Sequence, residues 1–170
     1  MNYIIREAGV DDVEGIAKVH VDSWKSTYKG IVPEEYLNTL TYNSRKRIWD
    51  KAIPNGGVYV AINEKGEIVG FSSGGIERSG DYPTYQGEIY AIYLLKQYQG
   101  KGLGKRLVEP IKEGLINQGI FTMLVLVLCE NDARFFYESL GAREVDQIEV
   151  TIGGEQLKES VYVWDDVRVF

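Results

Sequence analysis

The sequence is poorest in the residues that bind soft metals. Among 170 residues there is one cysteine, Cys129, and one histidine, His20. No internal disulfide can form, and no cluster of zinc or iron ligands is available. Positive charge is also in deficit. The 19 Lys and Arg residues against 25 Asp and Glu give a net charge of −6, the wrong sign for wrapping a phosphate backbone, so nucleic acid is not an expected partner. The longest apolar run, residues 123 to 129, falls far short of the roughly 20 residues that span a bilayer, and residues 1 to 10 carry no signal-peptide core. A soluble cytoplasmic protein with no membrane partner is expected. Proline is scarce, at four residues, and no repeat or Pro/Gly/Ser-rich linker divides the chain. A single domain over residues 1 to 170 follows. With 44% hydrophobic residues, a chain of this length buries roughly 70% of its unfolded surface and needs no staple.

What is present reads as alternating short elements. Residues 3 to 6 form a strand, and Asp11 or Asp12 caps a helix with Val13, Ile16, Ala17, His20 and Trp24 on its apolar face, ending near Gly30. Pro33 opens a second helix, and Asn43 or Ser44 caps a third. Residues 58 to 62 and 67 to 73 are β-rich runs joined by Asn63-Glu64-Lys65-Gly66, which is hairpin chemistry. A strand over residues 88 to 94, a glycine-rich turn, a helix bearing Leu103, Leu107, Ile111 and Leu115, and a buried strand over residues 121 to 128 make a parallel βαβ unit. Pro110 inside that helix predicts a kink or an early end. A helix over residues 133 to 140, stopped by Gly141, and two strands flanking Gly153-Gly154 complete the chain. The class is α/β or α+β, with a mixed sheet of about seven strands.

The most informative segment is Gln99-Gly100-Lys101-Gly102-Leu103-Gly104-Lys105. It places three glycines where a strand turns into a helix, a position at which free amides and the helix dipole favour an anion such as phosphate. The alternative is a tight turn before a basic helix. The dinucleotide pattern G-x-G-x-x-G fails at Lys105 or at Leu107, according to register, and a Walker loop fails at Gln99 and Arg106. NAD and ATP sites are therefore disfavoured.

The same turn matches R/Q-x-x-G-x-G/A, with Gln99, Gly102 and Gly104 in place, and so resembles the signature of the GNAT superfamily of N-acyltransferases. The likeness covers nearly the whole chain. It includes the Ile92-Tyr93-Leu94 strand end and the Ala-x-x-Phe-Tyr-x-x-x-Gly segment from Ala133 to Gly141. The resemblance implies a GNAT-like fold and acetyl-CoA as cosubstrate. Its pyrophosphate would lie on the amides of Gly100, Lys101, Gly102, Leu103, Gly104 and Lys105, and its pantetheine arm along the backbone of Ile92, Tyr93 and Leu94, like a strand added to a sheet. Relatives carry asparagine three residues before that alanine, where this chain has Glu130. Asn131, one residue later, is either the displaced ligand or simply a helix cap.

Amine acylation requires a neutral nitrogen and a proton for the departing thiolate. The resemblance gives Glu88 the part of the base, the alternative being a strand-edge carboxylate that attracts a cation. It gives Tyr137 the part of the acid, the alternative being core packing. Trp24 and Tyr28, with Glu88, would line the acceptor side, to which the resemblance also assigns Tyr82, Tyr85 and Glu159; aromatics with acids suit a cationic amine, and equally suit ordinary packing. Cys129 reads as core rather than as a nucleophile, so transfer should be direct. His20 reads as a satisfied core or pocket residue. The expectation is an N-acetyltransferase acting on a small-molecule or protein amine, against the alternative of a non-catalytic acyl-CoA sensor or scaffold. Such a fold permits a homodimer through the closing hairpin.

Overall fold

The computed structural model describes residues 2 to 170. One mixed sheet of seven strands, in the order β1-β2-β3-β4-β5-β7-β6, organises them. The strands are β1 (Ile4–Glu7), β2 (Val58–Ile62), β3 (Ile68–Ile76), β4 (Gly87–Leu94), β5 (Met123–Leu128), β6 (Arg143–Ile152) and β7 (Glu155–Trp164). The helices are α1 (Val13–Thr27), α2 (Glu34–Asn38), α3 (Tyr42–Ala52), α4 (Leu103–Asn117) and α5 (Ala133–Ser139).

Every neighbouring pair of strands is antiparallel except β4 with β5. A parallel pair needs a crossover, and α4 supplies it. Leu107, Val108, Ile111 and Leu115 of α4 are buried, the last three against Ile89, Met123 and Val125. The opposite face of the sheet lies under α1, where Val13, Ile16 and Val19 meet Trp49, Val60 and Phe71. Gly87, at the start of β4, is required by this packing. A Cβ there would stand 2.5 Å from Leu115 Cδ1 and 2.9 Å from the Thr122 carbonyl oxygen.

Several local expectations are corrected. Asp12 precedes α1, but its carboxylate does not cap that helix. It accepts from the Gly9 amide at 2.8 Å and from both Arg6 terminal nitrogens at 2.7 and 2.9 Å, fastening β1 to the turn before α1. The helix stops at Thr27, short of Gly30. Pro33 stands one residue before α2 rather than inside it. The cap of α3 is Thr41, whose hydroxyl accepts from the Ser44 amide at 3.1 Å. The strand foreseen to start at Glu67 begins at Ile68, because Glu67 closes the turn through its backbone contacts with Asn63. Pro110 neither ends α4 nor divides it, since the helix runs through it for 15 residues. The apolar stripe on both sides of Pro110 anchors the helix to the sheet and outweighs the one lost backbone bond.

Candidate active site

Two irregularities in β4 create the site. The first is a register shift against β3, where Ser73 faces Ala91 and Gly74 faces Ile89, so Tyr90 is an extra residue. Side chains alternate along an ordinary strand, and a bulge breaks that alternation. Ile89 and Ile92, three apart, therefore both pack toward α4, while Ala91 and Tyr93 join the cluster beneath α1. The second irregularity is the short pairing of β4 with β5, which covers only Gly87 with Met123, Glu88 with Leu124 and Ile89 with Val125. Beyond Ile89 the strands part, and the outer half of β4 faces open space.

That space is a cleft of about 530 Å³. Its lining brings together residues the sequence put in one group: Ile92, Tyr93 and Leu94 from β4, Gln99, Gly100, Gly102, Leu103, Gly104 and Lys105 from the turn into α4, and Asn131 and Tyr137 around α5. Lys101 is exposed and does not line it. The turn is shaped by glycine. Gly100 and Gly102 have φ of +74° and +80°, the left-handed region that other residues avoid. The amides at the start of α4 have no partner within the helix and carry its positive dipole end. Gln99 holds the turn to the strand, its Nε2 donating to the Leu94 carbonyl at 3.2 Å. Gly104 sits under the Phe136 ring, where a Cβ would approach Cζ to 3.0 Å. These features fit a bound diphosphate, and the edge of β4 that β5 leaves free beyond Ile89 fits an extended amide-bearing arm.

Beside the cleft is a nest of phenols. The Tyr28 and Tyr93 hydroxyls are 3.5 Å apart, and Asn131 Nδ2 donates to Tyr28 at 3.2 Å. Asn131 Oδ1 accepts from the Ala133 amide at 2.9 Å, so the residue caps the start of α5 while lining the cleft. Tyr137 is buried against Trp164 and Phe136. Burial, and secondarily the neighbouring Tyr28, push its phenol well above the usual range, so it keeps its proton at neutral pH. Trp24 packs on Tyr28 with ring centroids 4.4 Å apart, and its indole N–H is directed to the Tyr93 hydroxyl.

Glu88 lies outside the cleft lining, at the inner end of β4. Its side chain is 4% exposed and is held by Arg78, itself 61% exposed. Arg78 Nη2 donates to one carboxylate oxygen at 3.0 Å, and Arg78 Nε and its backbone amide donate to the other at 3.4 and 3.1 Å. The Arg78 guanidinium also rests on the Tyr90 ring, 4.1 Å from its centroid. Sequence reasoning missed Arg78. The only signal for it was its place two residues past β3, in the loop that leads back to β4 and Glu88. It also missed Ser26, Thr27 and Ile31, which line the cleft from the end of α1. Tyr82 and Tyr85, assigned to the acceptor side, act as fasteners: their hydroxyls donate to Asp146 and Asp165, both at 2.8 Å.

His20 accepts a hydrogen bond from Trp49 Nε1 at 3.1 Å and stacks on Tyr93. Burial, then the charge of Arg45, lowers its pKa to about 4, so it is a neutral packing group. Cys129 is half-buried with Sγ 3.1 Å from Ser160 Oγ. Among the described residues there is no group of His, Cys, Asp and Glu that could hold a metal, and no helix long and apolar enough to cross a membrane.

A strand that parts from its parallel neighbour, followed by a glycine turn into a helix, is the arrangement that the resemblance noted in the sequence implies, and comparison with known proteins bears on it directly. The model of the acetyltransferase (GNAT) family matches residues 21 to 142, and the chain belongs to that family. It is 41% identical to YuaI of Bacillus subtilis, an uncharacterized N-acetyltransferase, over 96% of this chain and 93% of that protein. It is 24% identical to a spermidine N(1)-acetyltransferase of Thermoplasma acidophilum, over 95% and 99% of the two chains. The crystal structure of the PaiA N-acetyltransferase from Thermoplasma acidophilum, solved with coenzyme A, superposes with a TM-score of 0.73 at 26% identity, covering 94% of this chain and 98% of that one.

Proposed function

We propose that this protein transfers an acetyl group directly from acetyl-CoA to a primary amine of a small molecule or protein. The observation carrying the reading is the cleft itself, in which the glycine turn, the free outer half of β4 and the Tyr137 phenol face one volume. A structure of a relative with coenzyme A bound, matching nearly the whole chain, supports the identity of the donor. The turn amides bind the diphosphate, the β4 backbone aligns the arm, and the thioester is thereby brought beside Tyr137.

In the chemical step the amine nitrogen bonds to the thioester carbonyl carbon and the carbon–sulfur bond breaks. Tyr137 gives its proton to the departing sulfur, and the proton lost by nitrogen passes to a base. Glu88 is the proposed base. Arg78 donates to both its oxygens and fixes the orientation of the carboxylate, and the proton would reach it through water. A lysine-like amine, with pKa about 10.4, spends about 4.6 kcal/mol on becoming neutral at pH 7, which is what a nearby base offsets.

The test is release of free thiol from acetyl-CoA with a panel of amines. Turnover with at least one amine supports the reading. Tight coenzyme A binding with no thiol released on any amine would instead make the chain a sensor or scaffold.

A further inference from the structure

Where the backbone ladder between β4 and β5 gives out, side chains take over the crossing. The last paired residues are Ile89 and Val125. Beyond them Tyr93 of β4 and Asn131, just past the end of β5, are joined through Tyr28, the residue that follows α1. The Tyr93 and Tyr28 hydroxyls are 3.5 Å apart, and Asn131 Nδ2 donates to the Tyr28 hydroxyl at 3.2 Å. Both ends of this bridge are anchored. Asn131 Oδ1 accepts from the Ala133 amide, while Tyr93 stacks on His20 and receives the Trp24 indole N–H.

Tyr93 and Asn131 line the cleft, whereas Tyr28 does not. The Tyr28 ring stands behind them, 5% exposed, in the apolar cluster of Val32, Leu37 and Leu128. It therefore separates the cleft from that cluster. Tyr137 lines the same cleft and lies within electrostatic reach of both bridge phenols. The bridge is thus beside the phenol that meets the thioester sulfur in the scheme above, where the acyl group arrives.

Resting on the acetyl transfer proposed above, we infer that Tyr28 is the specificity-determining residue for the acyl group: pinned to Tyr93 and Asn131, its ring walls the acyl end of the cleft and restricts the donor to short chains. An acetyl group stops short of the ring. Each further methylene meets a side chain that is packed on its far side and can move only by breaking buried hydrogen bonds.

The experiment measures acetyl-CoA and butyryl-CoA with wild type, Tyr28→Leu and Tyr28→Phe, by calorimetry and by thiol release with an amine that is acetylated. Wild type should bind acetyl-CoA at least about tenfold more tightly than butyryl-CoA and use it about a hundredfold or more better in kcat/KM. Tyr28→Leu removes the ring and should narrow both ratios about tenfold, with butyryl-CoA gaining in absolute terms. A merely structural role would lower both donors together and leave the ratios where they were. Equal use of the two donors by wild type, or unchanged ratios in a folded Tyr28→Leu, would overturn the inference. Should Tyr28→Leu not fold, Tyr28→Phe decides, because it keeps the ring and unpins it: ratios narrowed about threefold or more sustain the inference, and unchanged ratios overturn it. Should no amine be acetylated, the acetyl-transfer reading fails while the calorimetric ratios still decide this one; failure to bind either acyl-CoA would overturn both.

Discussion

Tyr137 is a phenol in a position where few phenols would keep a function. It is buried, its proton is firmly held, and the phenols of Tyr28 and Tyr93 lie within electrostatic reach of it. Removing one oxygen atom there should separate packing from chemistry. Tyr137→Phe is expected to lower kcat about tenfold or more while the KM for acetyl-CoA stays within about twofold, measured by thiol release. Unchanged turnover would leave Tyr137 as a core aromatic only. The sequence could flag this residue because its motif surrounds it. It could not reveal that Asn131 divides its amide between the Tyr28 hydroxyl and the Ala133 amide, since the first of those partners is 103 residues away along the chain. Nor could it show that Glu88 is clasped by Arg78. Contacts of that kind depend on strand register, and register depends on a bulge that leaves no fixed mark in composition.

At the scale of elements, the glycine turn and α4 carry the binding argument. Gly102 adopts φ of +80° in open space, so the cost of a side chain there is conformational. Gly102→Val should weaken coenzyme A binding about tenfold or more by calorimetry with the fold retained; unchanged affinity would remove the turn from the site. Further along α4, Pro110 leaves the Arg106 carbonyl without its helical donor. Pro110→Ala restores that bond, at the loss of some rigidity in the unfolded chain. The denaturant midpoint should rise by an amount worth about 1 kcal/mol or more, with the slope unchanged. The order of elements was legible in the sequence because periodicity, glycine stops and turn chemistry agree along most of the chain. The fate of Pro110 was not, because a local penalty is judged against the burial of Val108, Ile111 and Leu115 on either side of it. The cap of α3 was misplaced for a related reason: Thr41 and Ser44 satisfy each other, and either end of such a pair reads as the first residue.

For the whole molecule, His20 makes stability depend on acid. Its pKa is about 4 in the fold and about 6.5 when the chain is unfolded. Between those values the unfolded chain holds more protons, so stability falls as pH drops from 6.5 and the contribution is fully lost below 4. The difference is worth about 3 kcal/mol. His20→Gln, which can still accept from Trp49, should flatten the fall in melting temperature between pH 6.5 and 4 relative to wild type. Parallel curves would mean that the imidazole is free to charge inside the fold.

The parting of β4 from β5 has a kinetic consequence. The cleft is walled by the turn, α5 and the end of α1, while Glu88 lies outside it on the inner half of β4, so in the proposed scheme donor and acceptor have separate places on the protein. Both can be aboard together, and reciprocal plots of initial rate at several fixed acceptor concentrations should converge. Parallel lines would mean that the polypeptide itself ferries the acyl group between visits, and Cys129 would then be the first residue to examine.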